Sequence, residues 1–422
     1  MNVWRTRLFA LGLAAAAGAL AAGCEDALEA DSGRSQRPIP GETLALMDKI
    51  HTTPAAPTLI RTYKQEAELE IWKMNSDGQY ALLKTYPMCR WSGQLGPKLR
   101  EGDHQVPEGF YDITPGQMNP NSHYYLSFNV GYPNAYDQAY GRTGGDIMVH
   151  GVCSSAGCFS MTDAQIAEIY AIAREAFNGG QQAIQMQSFP FRMTAENLAK
   201  HRLDPNIAFW KEIKNGADHF EVTKTEPEVL VCGKHYVFGA HSDRDLDASA
   251  PCPANLQRDD AVEAAVAEKE ASDDAAVATL VAQGVKPVRI VYQDGGQNQA
   301  FSGRQDLDPS APEALAAGPT VITLDNAGRP LPPPVKPAAV ADAPAPAAAA
   351  AQASAPPAAP GPQTTAGASP FGFAAVKSFF GFGKSEAPAP QPAATDAPLP
   401  PKRDAALKPG PQAMADTATR QQ

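Results

Sequence analysis

What this chain can fold into is limited first by a shift in composition along its length. From residue 258 the sequence becomes rich in Ala, Asp and Glu, and residues 331–422 are dominated by Pro and Ala. Such a stretch has too few apolar side chains to offset the entropy of ordering it. Residues 331–422 are therefore expected to form a disordered tail with polyproline character. One island interrupts that tail: Phe371, Phe373, Phe379, Phe380 and Phe382, interleaved with Gly, Lys377 and Lys384. The five rings follow no helical period and read as a sticky patch, the sharper alternative being a short docking motif. Most aromatic residues lie instead within residues 54–257, a length that suits one hydrophobic core.

The N-terminus carries Arg5 and Arg7 followed by an apolar run over residues 8–22. That is a signal-peptide pattern over residues 1–23, too short to span a bilayer, and it predicts export to the periplasm. The run ends in Ala21-Ala22-Gly23-Cys24, which leaves two outcomes open: acylation of Cys24 as a membrane anchor, or ordinary cleavage after Ala21. Residues 24–53 read as a polar linker with one short helical stretch at 43–50.

Residues 67–73 alternate, with Ala67, Leu69 and Ile71 on one face. Asn75-Ser76-Asp77-Gly78 is a hairpin signal, and residues 80–86 return. Further short strands are expected at 109–113, 124–129 and 146–150, densely punctuated by Gly and Pro as in barrels and sandwiches. A helix over 163–177 places Ile166, Ile169, Tyr170, Ala173 and Phe177 on one face, with Gly179-Gly180 as its stop. A second amphipathic segment covers 205–214, and residues 229–237 suggest a late strand or hairpin. Residues 258–330 form an accessory region: a helix over 261–283 that buries little, and strand-like runs at 288–292 and 319–324. The fold class is thus mainly β with a few packed helices.

The cysteines are Cys24, Cys89, Cys153, Cys158, Cys232 and Cys252. Export would let disulfides persist. Cys232 and Cys252 flank a moderate loop and are the first candidate pair; a Cys89–Cys153 pair, or free buried thiols, remain alternatives that spacing cannot separate. There is no CxxC pair and no HExxH, so neither a metal site nor a cofactor is expected. The net charge of −11 gives no footprint for nucleic acid.

Chemistry concentrates in residues 146–162. His150 stands eight positions before Cys158, Gly151 follows the histidine and Gly157 precedes the cysteine. The helix-start signal Thr162-Asp163-Ala164-Gln165 comes just after. A thiol needs a base to become a nucleophilic thiolate, so the spacing points to acyl transfer by Cys158 with His150 as base. Backbone N–H groups of Gly157 and Cys158 are the natural oxyanion donors, with Ser155 in the same loop. The helix dipole would help if its start faces the sulfur. Cys153 is the competing thiol, disfavoured because Gly157-Cys158 leaves the sulfur uncovered. Arg142, in a Gly-Arg-Thr-Gly turn, is a candidate to hold a substrate carboxylate, or else pairs an acidic neighbour. Tyr111, Tyr124 and Tyr132 either line a cleft or pack in the core.

The segment Ser155-Ala156-Gly157-Cys158-Phe159, with His150-Gly151 before it, resembles the L,D-transpeptidase (YkuD-type) catalytic motif. The family's second histidine is replaced by Ala156, and the His-to-Cys loop is short. Both departures resemble a YafK-like branch. Upstream blocks agree, among them Leu95-Gly96-Pro97-Lys98, Pro107-Glu108-Gly109-Phe110-Tyr111, Gly131-Tyr132-Pro133-Asn134 and Gly141-Arg142-Thr143-Gly144. The resemblance spans residues 54–238. It implies a β-rich sandwich or barrel-like catalytic domain acting on diaminopimelate-containing peptidoglycan stem peptides through a Cys158 thioester. An amine acceptor would make cross-links; water would make a murein hydrolase or amidase that trims stems or releases anchored protein. A non-catalytic peptidoglycan-binding protein is the alternative of another class, opposed by the presence of both His150 and Cys158. A papain-like protease would need its histidine far downstream.

Overall fold

The computed structural model describes residues 33–303 and 318–332. Expectations for the leader, Cys24 and the Pro/Ala tail with its phenylalanine island lie outside these residues. In chain order the first elements are α1 (Gly41–Lys49), β1 (Thr58–Tyr63), β2 (Glu68–Met74), β3 (Tyr80–Pro87), β4 (Arg90–Trp91), β5 (Gly109–Ile113), β6 (Met118–Asn119) and β7 (Ser127–Asn129). Then come α2 (Ala135–Ala139), β8 (Met148–His150), β9 (Phe159–Ser160), α3 (Asp163–Asn178), β10 (Ile184–Phe189), α4 (Ala195–His201) and α5 (Ile207–Thr223). The last are β11 (Val229–Cys232), β12 (His235–Phe238), β13 (Ala240–His241), β14 (Gln257–Arg258), α6 (Asp260–Ala282), β15 (Val288–Val291) and β16 (Thr320–Thr323).

Two five-stranded sheets carry the architecture, in the orders β3-β2-β1-β10-β5 and β4-β9-β8-β7-β6. The fold is therefore mainly β with packed helices, as the patterning predicts. In the first sheet the β2–β3 hairpin closes over the predicted Asn75–Gly78 turn, and Leu69 and Ile71 are fully buried. Two interior strands fall outside the pattern's expectations: β1, which does not alternate, and β10, which does over Ile184-Gln185-Met186-Gln187. β1 buries all six of its residues and β10 all six of its own, because both faces of each are covered. In β10 the polar side chains are buried as well, Gln185 donating to the Pro227 carbonyl at 3.1 Å. β1 and β10 pair in parallel, Ile60 against Met186, and the second sheet lies within that crossover.

α3 packs against both layers. Ile166, Ile169, Tyr170 and Ala173 are buried as predicted, in one core with Ile60, Leu69, Phe128, Val149 and Phe159. Its start is the predicted capping box, Thr162 accepting from the Gln165 N–H while Gln165 answers at Thr162. The second amphipathic segment runs further than expected, through Thr223, and puts Trp210, Ile213 and Phe220 in the interior.

The segment expected as a linker is in part a packed element. Ile39 and Met47 belong to the main core, and the Thr43 hydroxyl donates to Glu168 of α3. The accessory region has the expected helix, α6, in which only Val266 is buried, and the expected strand runs pair as an antiparallel hairpin. Tyr292, just past β15, is buried against Trp91 at 4.8 Å. Both candidate disulfides are formed: Cys89–Cys153 and Cys232–Cys252. Among the described residues no helix is long and apolar enough to cross a membrane.

Candidate active site

β8 and β9 are parallel neighbours in the middle of the second sheet, with Val149 opposite Phe159 and His150 opposite Ser160. Val149 and Phe159 face the core and are fully buried. Side chains alternate along a strand, so His150 and Cys158 fall together on the opposite face. Cys158, immediately before β9, lies beside Met148, whose N–H points at Sγ at 3.4 Å. The thiol's other hydrogen-bond neighbour is the Asp146 carbonyl, 3.9 Å from Sγ. The eight-residue spacing in sequence is thus a diagonal between adjacent strands, with the imidazole and the thiol on the same face.

The histidine is 3% exposed. Its Nδ1 lies 2.5 Å from the Gly151 carbonyl oxygen. A carbonyl can only accept, so Nδ1 carries the proton and Nε2 is left as the free lone pair. This supplies the orienting acceptor for which the sequence holds no signal, since it is backbone. Burial holds the imidazole below its ordinary pKa, against the opposing pull of the Gly151 carbonyl. Burial also pushes the Cys158 thiol up, while the Met148 N–H and the Lys98 ammonium draw it down. Both shifts favour the uncharged form of the group concerned. The thiol is half-buried rather than freely exposed, as the uncovered Gly157-Cys158 context had suggested.

The loop between them is tightly tied. Ser155 Oγ accepts from the Cys158 N–H at 2.9 Å and the Gly157 N–H at 3.3 Å, donates to the Cys158 carbonyl at 2.7 Å, and meets Ser92 Oγ at 2.7 Å. This corrects the expected oxyanion donors: both N–H groups are taken up by Ser155, which organises the loop from within. Gly157 has φ +131, a backbone conformation that a side chain would strain. Gly151 is required by space, since a Cβ there would come 2.7 Å from Asp163 Oδ1 and 2.9 Å from the Tyr124 carbonyl oxygen. Val152 sits at φ +57, costly for a β-branched residue, and is held there by its N–H bond to Asp163 Oδ1 at 2.8 Å. The Cys89–Cys153 disulfide fixes the loop's middle to the residue preceding β4. The start of α3 thus braces the histidine end of the loop through Asp163, and the sulfur takes its bond from Met148.

Arg142 does not reach for a ligand. It pairs with Asp137 at 2.7 Å, the carboxylate 1% and the guanidinium 9% exposed, and it lies over the rings of Tyr136, Tyr140 and Phe209. Its expected role in holding a substrate carboxylate gives way to the structural alternative, because α2 places an acid five residues before it. Tyr111 and Tyr132 are core residues, Tyr111 donating to Asp137. Tyr124 is 51% exposed and lies over the His150 ring at 4.6 Å. Lys98, unremarked in the sequence beyond its block, is a cation acting on the thiol. Its side chain is pinned by Asp103, and its Cε would lie 3.3 Å from a Cβ on Gly144.

A buried imidazole with a fixed tautomer shares this sheet face with Cys158, the free thiol among the described cysteines. The model of the L,D-transpeptidase catalytic domain (YkuD) matches residues 62–178, from β1 through α3. The chain belongs to that family. It is 42% identical over 182 residues to YafK of Escherichia coli K12, which carries the L,D-transpeptidase name, across 43% of this chain and 74% of that protein. Among solved structures it is similar to the helical cell shape determining protein Pgp2 of Campylobacter jejuni, at 15% identity over 59% of this chain and 80% of that one, with a TM-score of 0.27. It is also similar to Bd1075 of Bdellovibrio bacteriovorus, at 17% identity over 46% and 91% of the respective chains, with a TM-score of 0.25.

Proposed function

We propose that this protein is a cysteine acyltransferase of the L,D-transpeptidase type that acts on diaminopimelate-containing stem peptides of peptidoglycan, with Cys158 as nucleophile and His150 as base. The observation that carries the reading is the His150 Nδ1 bond to the Gly151 carbonyl, which leaves Nε2 able to take a proton on the face that also holds the unpaired Cys158 thiol. The proton passes from Sγ to Nε2 as sulfur attacks the amide carbonyl at the L-centre of diaminopimelate. The C–N bond breaks, the imidazolium returns the proton to the leaving amine, and a thioester remains on Cys158. An acceptor amine then attacks the thioester, giving its proton to His150, and the thiol leaves.

Export fits the same reading. The charged-then-apolar leader over residues 1–23 would deliver the chain to the periplasm, where Cys89–Cys153 and Cys232–Cys252 would persist, and Cys24 would be available for acylation.

The test is mass spectrometry of diaminopimelate-type muropeptides and protein-linked sacculi incubated with the full chain and with Cys158→Ala. Cross-linked dimers that depend on Cys158 are the expected result. Trimmed stems or released protein without new cross-links would assign a hydrolase instead. No Cys158-dependent product from either substrate would sink the enzymatic reading and bring forward a binding protein that keeps the fold.

A further inference from the structure

His150 has a cover that the proposed reaction does not by itself require. Tyr124 lies in the turn that leads into β7, three residues before Ser127, and Ser127 pairs directly with His150. The turn is anchored twice. The Tyr124 N–H donates to Ser122 Oγ at 3.1 Å, and the Leu126 carbonyl accepts from the Gly151 N–H at 3.1 Å. Tyr125 follows at φ +70, which reverses the backbone beside the ring. The phenol ring comes to rest 4.6 Å from the imidazole, tilted 36° to it. Tyr124 is half in solvent while the histidine beneath it is almost wholly buried. An exposed aromatic that leaves half its area in water gains little from core packing, yet this one shields a catalytic candidate.

We propose that Tyr124 is a positioning residue for His150: its ring roofs the imidazole, keeps water from it and holds it in the plane in which Nδ1 meets the Gly151 carbonyl. The inference rests on the reading of His150 as base. It identifies which side chain sets the pH range of that base. Among the titratable groups, Tyr124 lies against the His150 ring, Asp163 at the start of α3 takes the Val152 N–H two residues on, and Cys158 at the head of β9 shares its sheet face. Asp146 and Lys98 act on the thiol rather than on the ring. The ring's own influences are burial, which disfavours its charged form, and the Gly151 carbonyl, which favours it. Removing the roof takes away part of the burial, the larger of the two influences, so the ring moves toward its ordinary value.

The experiment is an NMR titration of the His150 ring in the full chain, with Tyr124→Ala and Tyr124→Phe, the resonance assigned by its loss in His150→Gln. In Tyr124→Phe the ring is retained and His150 titrates as in the parent. In Tyr124→Ala the midpoint moves up toward the ordinary imidazole value, and the acid limb of kcat/KM on muropeptides moves up with it. A Tyr124→Ala protein whose His150 titrates where the parent's does overturns the proposal, whether or not it is less stable. Should the parent itself form no Cys158-dependent product, the proposed function fails and the ring titration still decides the role of Tyr124.

Discussion

At the scale of single residues, the proposed mechanism rests on burial rather than on a resting ion pair. His150 is held below and Cys158 above their ordinary values, so proton transfer has to accompany attack. The sign follows directly. A lowered imidazole keeps its basic form further into acid, so the acid limb of kcat/KM should lie below the ordinary imidazole range. A raised thiol stays protonated further into alkali, so alkylation of Cys158 by iodoacetamide should accelerate only above the ordinary thiol range. An alkylation rate already level near neutrality would indicate a thiolate–imidazolium pair and contradict this. Arg142 gives a second prediction. Arg142→Ala strands Asp137, a buried carboxylate, and should cost about 3–5 kcal/mol in urea unfolding. If Arg142 instead held substrate, the variant would keep its stability and raise KM.

At the scale of elements, the loop between His150 and Cys158 is a short crossover pinned at three points: Val152 to Asp163, Cys153 to Cys89, and Ser155 to the loop's own backbone. Its conformation includes a positive φ at Val152 that a free loop would abandon. Replacing Cys89 and Cys153 together by Ser should destabilise the fold by about 2–5 kcal/mol. It should also slow the acyl transfer more than it weakens substrate binding, because the loop sets where Cys158 lies relative to His150. A stopped assay that splits kcat from KM, run below the unfolding midpoint, checks this. An unchanged kcat would confine the disulfide to stability.

At the scale of the whole molecule, the globular body begins before the strand-rich region in which its motifs lie. Met47 of α1 is 1% exposed in the main core, and Arg174 of α3 donates to the Ser35 and Arg37 carbonyls. Met47→Ala should therefore cost about 2–5 kcal/mol by chemical denaturation, as a core truncation does. A linker residue would cost nothing measurable. The buried Lys64–Glu108 pair, 2.9 Å apart, ties the end of β1 to the approach to β5, and the Gly96 carbonyl accepts from the same lysine. It joins two of the blocks by which the family is legible.

The sequence by itself determined the elements whose signals are local. The capping box at Thr162 and Gln165, the apolar stripe of α3 and the β2–β3 turn are written in spacings of a few residues, and a helix period or a turn dipeptide survives in any context. Only the tertiary structure decided the rest. β1 and β10 are interior because they pair with each other across a long crossover, and every residue of both is buried, the glutamines of β10 included. Arg142 is paired because α2 folds Asp137 against it, the Gly157 and Cys158 N–H groups are closed by Ser155 because the loop curls on itself, and a tyrosine from the turn before β7 lies against the His150 ring. Whether a charge, an N–H or a thiol is free depends on what the remainder of the chain brings to it. That is a property of contacts between distant residues, and no local pattern records it.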